Sequence, residues 1–140
     1  MLLNFAIDDR EAKRALMNAI WANKDKLRFT FFREEFRRKC KITLNLGKYF
    51  IQSEVPLIRE NHMLMFNVYK RKAFGLYKSY LGGAIVEYHH SDSLESLIEE
   101  YVDTKVKELK EAVYEAEEAE DRKVNAEFIG YLKDNCSTSD

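Results

Sequence analysis

Apolar and polar positions repeat in two rhythms along this 140-residue chain, and the change comes near residue 91. Near the start, Ala12, Ala15, Leu16, Ala19 and Ile20 recur at helical spacing, with Arg10, Lys13, Arg14 and Asn18 on the opposite side. Asp8 or Asp9 as a cap and Glu11 in the first turn complete the signal for a helix over about 9–24. The next stretch, LRFTFFREEFRRKCK, carries both rhythms. Leu27, Phe29 and Phe31 alternate as in a strand, whereas Phe29, Phe32, Phe36 and Cys40 follow a helix. Glu34 stands four residues before Arg38 and Glu35 four before Lys39, the favourable order for helix ion pairs. That order favours a short helix at about 30–40 with a buried Cys40, against a competing strand.

Strict alternation then takes over. Ile42, Leu44 and Leu46 alternate with Thr43 and Asn45, Gly47-Lys48 supplies a turn, and YFIQS follows, which predicts a hairpin. Pro56 ends that run. Leu64, Phe66 and Val68 alternate with Met65, Asn67 and Tyr69, giving a strand over 63–70. LYKSYLGGAIVEYHH reads as a further hairpin, with Gly82-Gly83 as a two-residue turn. That register sets Leu81 opposite Ala84, Tyr80 opposite Ile85, Lys78 opposite Glu87 and Tyr77 opposite Tyr88. Opposite charges and like aromatics then face each other, as a stable ladder prefers.

From Ser91 the period is helical. Ser91, Asp92 or Ser93 can cap the run, and Asp92 followed by Glu95 resembles a capping box. Leu94, Ile98, Tyr101 or Val102, then Val106, Leu109, Val113 and Ala116 hold one face, and the steps from Val102 are those of a heptad seam about two heptads long. Val124, Phe128, Ile129 and Leu132 form a second stripe, so the region reads as one long helix or as two with a bend near EDRK. The whole is an α+β chain: an antiparallel sheet of four or five strands, an N-terminal helix and a long acidic C-terminal helix. It reads as a single domain over 1–135, with a helical arm at 91–135 and a frayed tail at 136–140.

Composition alters this picture mainly through charge. The net charge of −1 conceals a split: residues 1–90 carry 17 Lys and Arg against 9 Asp and Glu, and residues 91–140 carry 6 against 15. Such asymmetry points to a charged partner, or to a basic body that meets an acidic arm. No apolar run reaches the roughly 18 residues of a membrane span. The N-terminal MLLNFAI has neither basic flank nor cleavage site, and the two cysteines, Cys40 and Cys136, form no metal-type pair. A reducing, cytoplasmic setting is the expectation, with no membrane partner.

Candidate chemistry is sparse. His89 and His90 beside Asp92 would point to opposite faces of a strand and cannot chelate together, and His62 stands alone. Cys40 has no orienting acid or base near it in sequence. Glu99 with Asp103, and the acids from Glu115 to Asp121, read as a solvated helix face. There is no phosphate-binding loop, dinucleotide fingerprint or nucleophile elbow. The expectation is therefore no catalytic residue, metal or cofactor, and a non-enzymatic module that binds itself or another protein. Val102, Val106, Leu109 and Val113 would form the oligomer seam, and the acidic surface would be able to inhibit a partner. The second reading is a small RNA- or DNA-binding protein. In it Arg33, Arg37, Arg38, Lys70, Arg71 and Lys72 hold phosphates, while Tyr69 and Phe74 stack on bases.

Overall fold

The computed structural model describes residues 10–58, 64–72, 78–86 and 93–136. The first helix, α1 (Arg10–Ala22), buries Leu16, Met17 and Ile20 and passes into a 3-10 turn, Lys24–Lys26. Ala15 is exposed and Met17 buried, so the packed stripe is rotated from the alanine-led one that spacing suggested. Met17 fills volume that an alanine leaves empty, and its flexible thioether adapts to an irregular surface.

Five strands follow: β1 (Arg28–Glu34), β2 (Arg37–Leu46), β3 (Tyr49–Pro56), β4 (Leu64–Arg71) and β5 (Lys78–Val86). They form one antiparallel sheet in chain order, with β1 and β5 as its edges. The chain is thus α+β with a five-stranded sheet between an N-terminal helix and a long C-terminal one.

The short helix expected at 30–40 is not formed. Those residues make the β1–β2 hairpin, in which Phe31 pairs with Cys40 and Glu34 with Arg37. The turn is Glu35-Phe36, and Glu35 takes φ 55 without the glycine or asparagine that would announce it. Burial explains the outcome. As a strand, the segment extends an alternation that runs through Cys40, Ile42 and Leu44, all fully buried or nearly so. Lys39 Nζ donates to Glu34 Oε2 at 2.6 Å across this hairpin, so an acid that looked like a helix partner serves a ladder instead. The Lys39 ammonium holds the Glu34 carboxyl below its ordinary range.

The Gly82-Gly83 turn is also corrected. Both glycines lie inside β5, opposite Val68 and Asn67, and β5 pairs with β4 rather than folding on itself. Lys78 is in register with Arg71, not with Glu87, and Tyr80 with Tyr69, not with Ile85. The supposed partners Tyr77, Glu87 and Tyr88 lie outside the described residues. A β-bulge falls between Val68 and Tyr69. Close approach explains Gly83: an added Cβ would lie 2.8 Å from Asn67 Oδ1 and 3.3 Å from the Tyr80 hydroxyl. Gly47, by contrast, takes φ 78 in the two-residue β2–β3 turn, as expected.

One face of the sheet is apolar and buried: Cys40, Ile42 and Leu44 on β2, Ile51 and Val55 on β3, Leu64, Phe66 and Val68 on β4, Ala84 and Val86 on β5. The last helix, α2 (Leu94–Asn135), buries Ile98, Val102 and Val106. Trp21 and Tyr101 meet edge to face at 6.5 Å, the Tyr101 hydroxyl donates to the Lys24 carbonyl, and Lys13 pairs with Glu95. These contacts join α1 to the start of α2, and the buried stripes of both helices complete the core. Ser53 Oγ and the Glu99 carboxylate are buried polar groups within it, so Glu99 does not lie on the solvated helix face expected of it. Ser93 caps α2: its Oγ accepts from the Ser96 amide at 3.1 Å. α2 is unbroken through EDRK, so the two apolar stripes belong to one helix. None of the described helices is long and apolar enough to cross a membrane. The chain divides into two compact units after Lys107, the second consisting of α2 from Glu108 onward.

Burial pushes the Cys40 thiol up to about 11, against a smaller lowering from the Thr30 backbone. Cys136 is exposed. A thiol-reactive dye at pH about 8 is expected to label one equivalent of native protein and the second only after unfolding, because the thiolate is the nucleophile. Two equivalents of rapid labelling would contradict the burial. The sign of the pH effect is fixed as well. From the ordinary thiol value of 9.0 up to about 11, the unfolded chain has released a proton that the folded chain retains. Stability is therefore lost as pH rises through that window.

Candidate functional site

The opposite face of the sheet is open among the described residues, and pleating decides what it displays. A row of rings crosses three strands. Phe50 on β3 stacks on Tyr69 of β4 at 4.9 Å and 15°, and Tyr69 meets Tyr80 of β5 at 5.5 Å and 55°. The Arg71 guanidinium lies 5.2 Å from the centre of the Phe50 ring. The bulge after Val68 is what brings Tyr80 into line with Tyr69. The Tyr80 hydroxyl approaches Asn67 Oδ1 at 3.4 Å over the space that Gly83 leaves empty. Partial burial raises the Tyr69 phenol, with smaller contributions from Tyr80 and Glu54.

Beside the Phe50 end of this row is an open cleft of about 460 Å³, walled by Lys26, Arg28, Arg71, Thr43 and Asn45 with Phe50. No carboxylate lines it among the described residues. A second depression, about 360 Å³, lies beside Tyr69 and includes Gln52, Asn67, Met65 and Glu54.

The meander sorts the basic residues by sheet end. The start of β1, the β2–β3 turn and the end of β4 fall at one end, which gathers Lys24, Lys26, Arg28, Lys48, Lys70, Arg71 and Lys72 around Asp25. Lys24 is partly engaged there, 3.9 Å above the Trp21 ring. Arg33, Arg37 and Arg38 sit at the other end, around the β1–β2 turn. The set anticipated for nucleic acid is therefore split. Tyr69 and Arg71 share the open face, Lys70 and Lys72 stand at the same end of the sheet with Lys70 alternating to the other face, and the three arginines lie at the far end. Arg33 and Arg37 share no helix face, because there is no helix. Phe74 lies outside the described residues, as do His62, His89 and His90. Phe50, Tyr80, Lys26 and Lys48 are the residues that sequence spacing did not collect. Strand alternation flags Phe50 and Tyr80 as outward-facing only once the register is known.

The expected oligomer seam is also redistributed. Val102 and Val106 are 0% and 3% exposed inside the first unit, so the fold itself uses them. Leu109 and Val113, in the second unit, are half-buried. Further along, Val124, Phe128, Ile129 and Tyr131 are 49–61% exposed and Leu132 is 38%. Leu109, Val113, Ala116, Val124, Phe128 and Tyr131 follow one another at three- or four-residue steps, broken only at Glu120. The surrounding face is charged, with Glu118 and Arg122 in a favourable i, i+4 pair.

Among the described residues no three His, Cys, Asp or Glu side chains are grouped to hold a metal ion. Comparison with protein-family models, with curated proteins and with solved structures finds no match for this chain.

Proposed function

We propose that this chain acts by binding rather than by catalysis, and that its C-terminal helix pairs antiparallel with the same segment of a second copy. The exposed stripe Val124–Phe128–Tyr131 carries the reading. A helix whose apolar side chains stand half or more in water gains little stability from propensity alone and gains most by burying that face. The choice of a second copy as occupant rests on how the segment complements itself. An antiparallel pair centred on Arg122 sets Phe128 against Ala116, Tyr131 against Val113 and Leu132 against Ala112. Large side chains then meet smaller ones at these three places, while Val124 falls against Glu120 and Arg122 against its own copy. The same register sets Lys133 against Glu111 and Lys123 against Asp121. A parallel pair would instead align seven acids over 108–121 with themselves.

The test is molar mass in solution, expected at twice the 16.6 kDa of the chain. Orientation is read from a charge swap. Asp121→Lys or Lys123→Asp alone is expected to weaken association several-fold, since each puts like charges together at two symmetric places, and the double replacement is expected to restore it. Cys136 offers a second reading of direction. In the antiparallel register the two copies of Cys136 are about 42 Å apart along the pair, far beyond disulfide reach. Rapid, complete disulfide linkage of the dimer would exclude this orientation, and a monomeric mass would exclude the assembly.

A further inference from the structure

We infer that the open face of the sheet is a binding site for single-stranded nucleic acid, with phosphates in the Lys26–Arg28–Arg71 cleft and a base on Tyr80. The inference goes beyond self-association and depends on the first unit alone. Its first support is electrostatic. Three cations converge on a cleft of about 460 Å³ that has no acid in its described wall. Like charges held together in this way repel one another, and an anion relieves them. Thr43 and Asn45 add a hydroxyl and an amide at the same place.

The positive region also exceeds what one phosphate needs. Lys48 and Lys72 stand at the same end of the sheet and are exposed, which favours a chain of phosphates over a single nucleotide. The ring row supplies the other half of the chemistry, and its geometry says where a base can enter. Phe50 is already engaged by both Tyr69 and Arg71. Tyr80 ends the row, tilted 55° from Tyr69, and at 44% exposure is the most accessible of the three rings. Asn67, beside it, presents an amide suited to base edges. Stacking on a ring needs an unstacked base, which a duplex does not provide. A single strand is thus the class of ligand that uses both the cleft and the row.

The probe is a fluorescent oligothymidylate of about 20 nucleotides, titrated with full-length protein at about 50 mM and about 200 mM salt. Binding is expected at low salt and is expected to fall steeply with salt. Arg28→Ala with Arg71→Ala is expected to weaken it roughly tenfold or more and to flatten the salt slope by about 1.4, the loss of two phosphate contacts. Arg37→Ala with Arg38→Ala removes the same charge from the far end and is expected to change affinity less than about twofold. Tyr80→Ala is expected to weaken binding about fivefold or more. All these positions are exposed or half-exposed, and circular dichroism checks that each variant is folded. Absence of binding at low salt overturns the inference, as does equal loss from the two arginine pairs. Equal affinity for a duplex overturns the stacking half. If the Arg28/Arg71 variant loses molar mass while oligothymidylate binding is unchanged, the cleft holds the acidic helix of another copy, and the nucleic-acid site is excluded.

Discussion

Phe66→Ala is expected to lower the unfolding free energy by about 3–5 kcal/mol, the largest effect of any single truncation in the sheet. Phe66 has no exposed surface and is the bulkiest of the fully buried side chains. Its position explains why the loss would not be healed. It sits on β4, in register with Ala84 of β5, next to the pair Asn67–Gly83. On the same face β5 offers the Ala84 methyl and, opposite Val68, Gly82 with no side chain, so little there can swing in to fill the volume. Both the transfer energy of the ring and the cavity left behind would then count. Native domains are held by only about 5–15 kcal/mol, so the variant would be near its limit of stability. Urea unfolding followed by the fluorescence of Trp21, the sole tryptophan, reads the change, since Trp21 packs on Tyr101 within the same unit. A loss under about 1 kcal/mol would mean that Phe66 does not fill the core as described.

If the chain pairs as proposed, Phe128→Glu is expected to convert that dimer to monomer at concentrations where the unmodified chain is fully paired. The pair is symmetric, so one substitution acts at two places. At about 2 kcal/mol or more for each buried aromatic, the dissociation constant should rise roughly a thousandfold. The glutamate also adds charge to a segment in which 9 acids already face 4 bases over 108–136. Phe128 belongs to the second unit and is 59% exposed in the single chain, so its loss should not touch the core of the first. The urea transition reported by Trp21 is expected to keep its midpoint, apart from any part that dimerisation itself contributes. An unchanged molar mass would show that this stripe is not the interface. A shift of both mass and midpoint to the same degree would show that the two units do not behave independently.

These two substitutions also mark where sequence reasoning succeeded and where it stopped. Alternation in 42–46 and 64–69 identified Leu44, Phe66 and Val68 as one-sided, and all three are buried. The same rule was undecided over 27–41, because Phe29, Phe32, Phe36 and Cys40 satisfy a helix as well as Leu27, Phe29 and Phe31 satisfy a strand. The decisive feature was a turn at Glu35-Phe36 that uses neither glycine nor asparagine. Gly82-Gly83 misled in the opposite sense. A glycine pair signals a primed turn only if nothing else requires the missing Cβ, and here Asn67 and Tyr80 do. Both errors have one origin: short-range patterns state what a segment tolerates, and the adjoining strand states which tolerance is used.

The candidate surfaces divide in the same way. Periodicity by itself established that α2 is helical and which of its residues share a face, because side-chain direction in a helix follows from local backbone geometry. The concentration of acid beyond residue 91 and of base before it was equally legible. Tertiary structure alone decided that Val102 and Val106 are spent on the core while Phe128 and Tyr131 are left in water. It alone decided that Lys26, Arg28, Lys48 and Arg71 share one end of the sheet and that Arg33, Arg37 and Arg38 occupy the other. A sequence specifies the faces of its elements through interactions a few residues long. Which faces meet, and which charges are thereby collected, follows from cross-strand neighbours tens of residues apart, and no local pattern carries that distance.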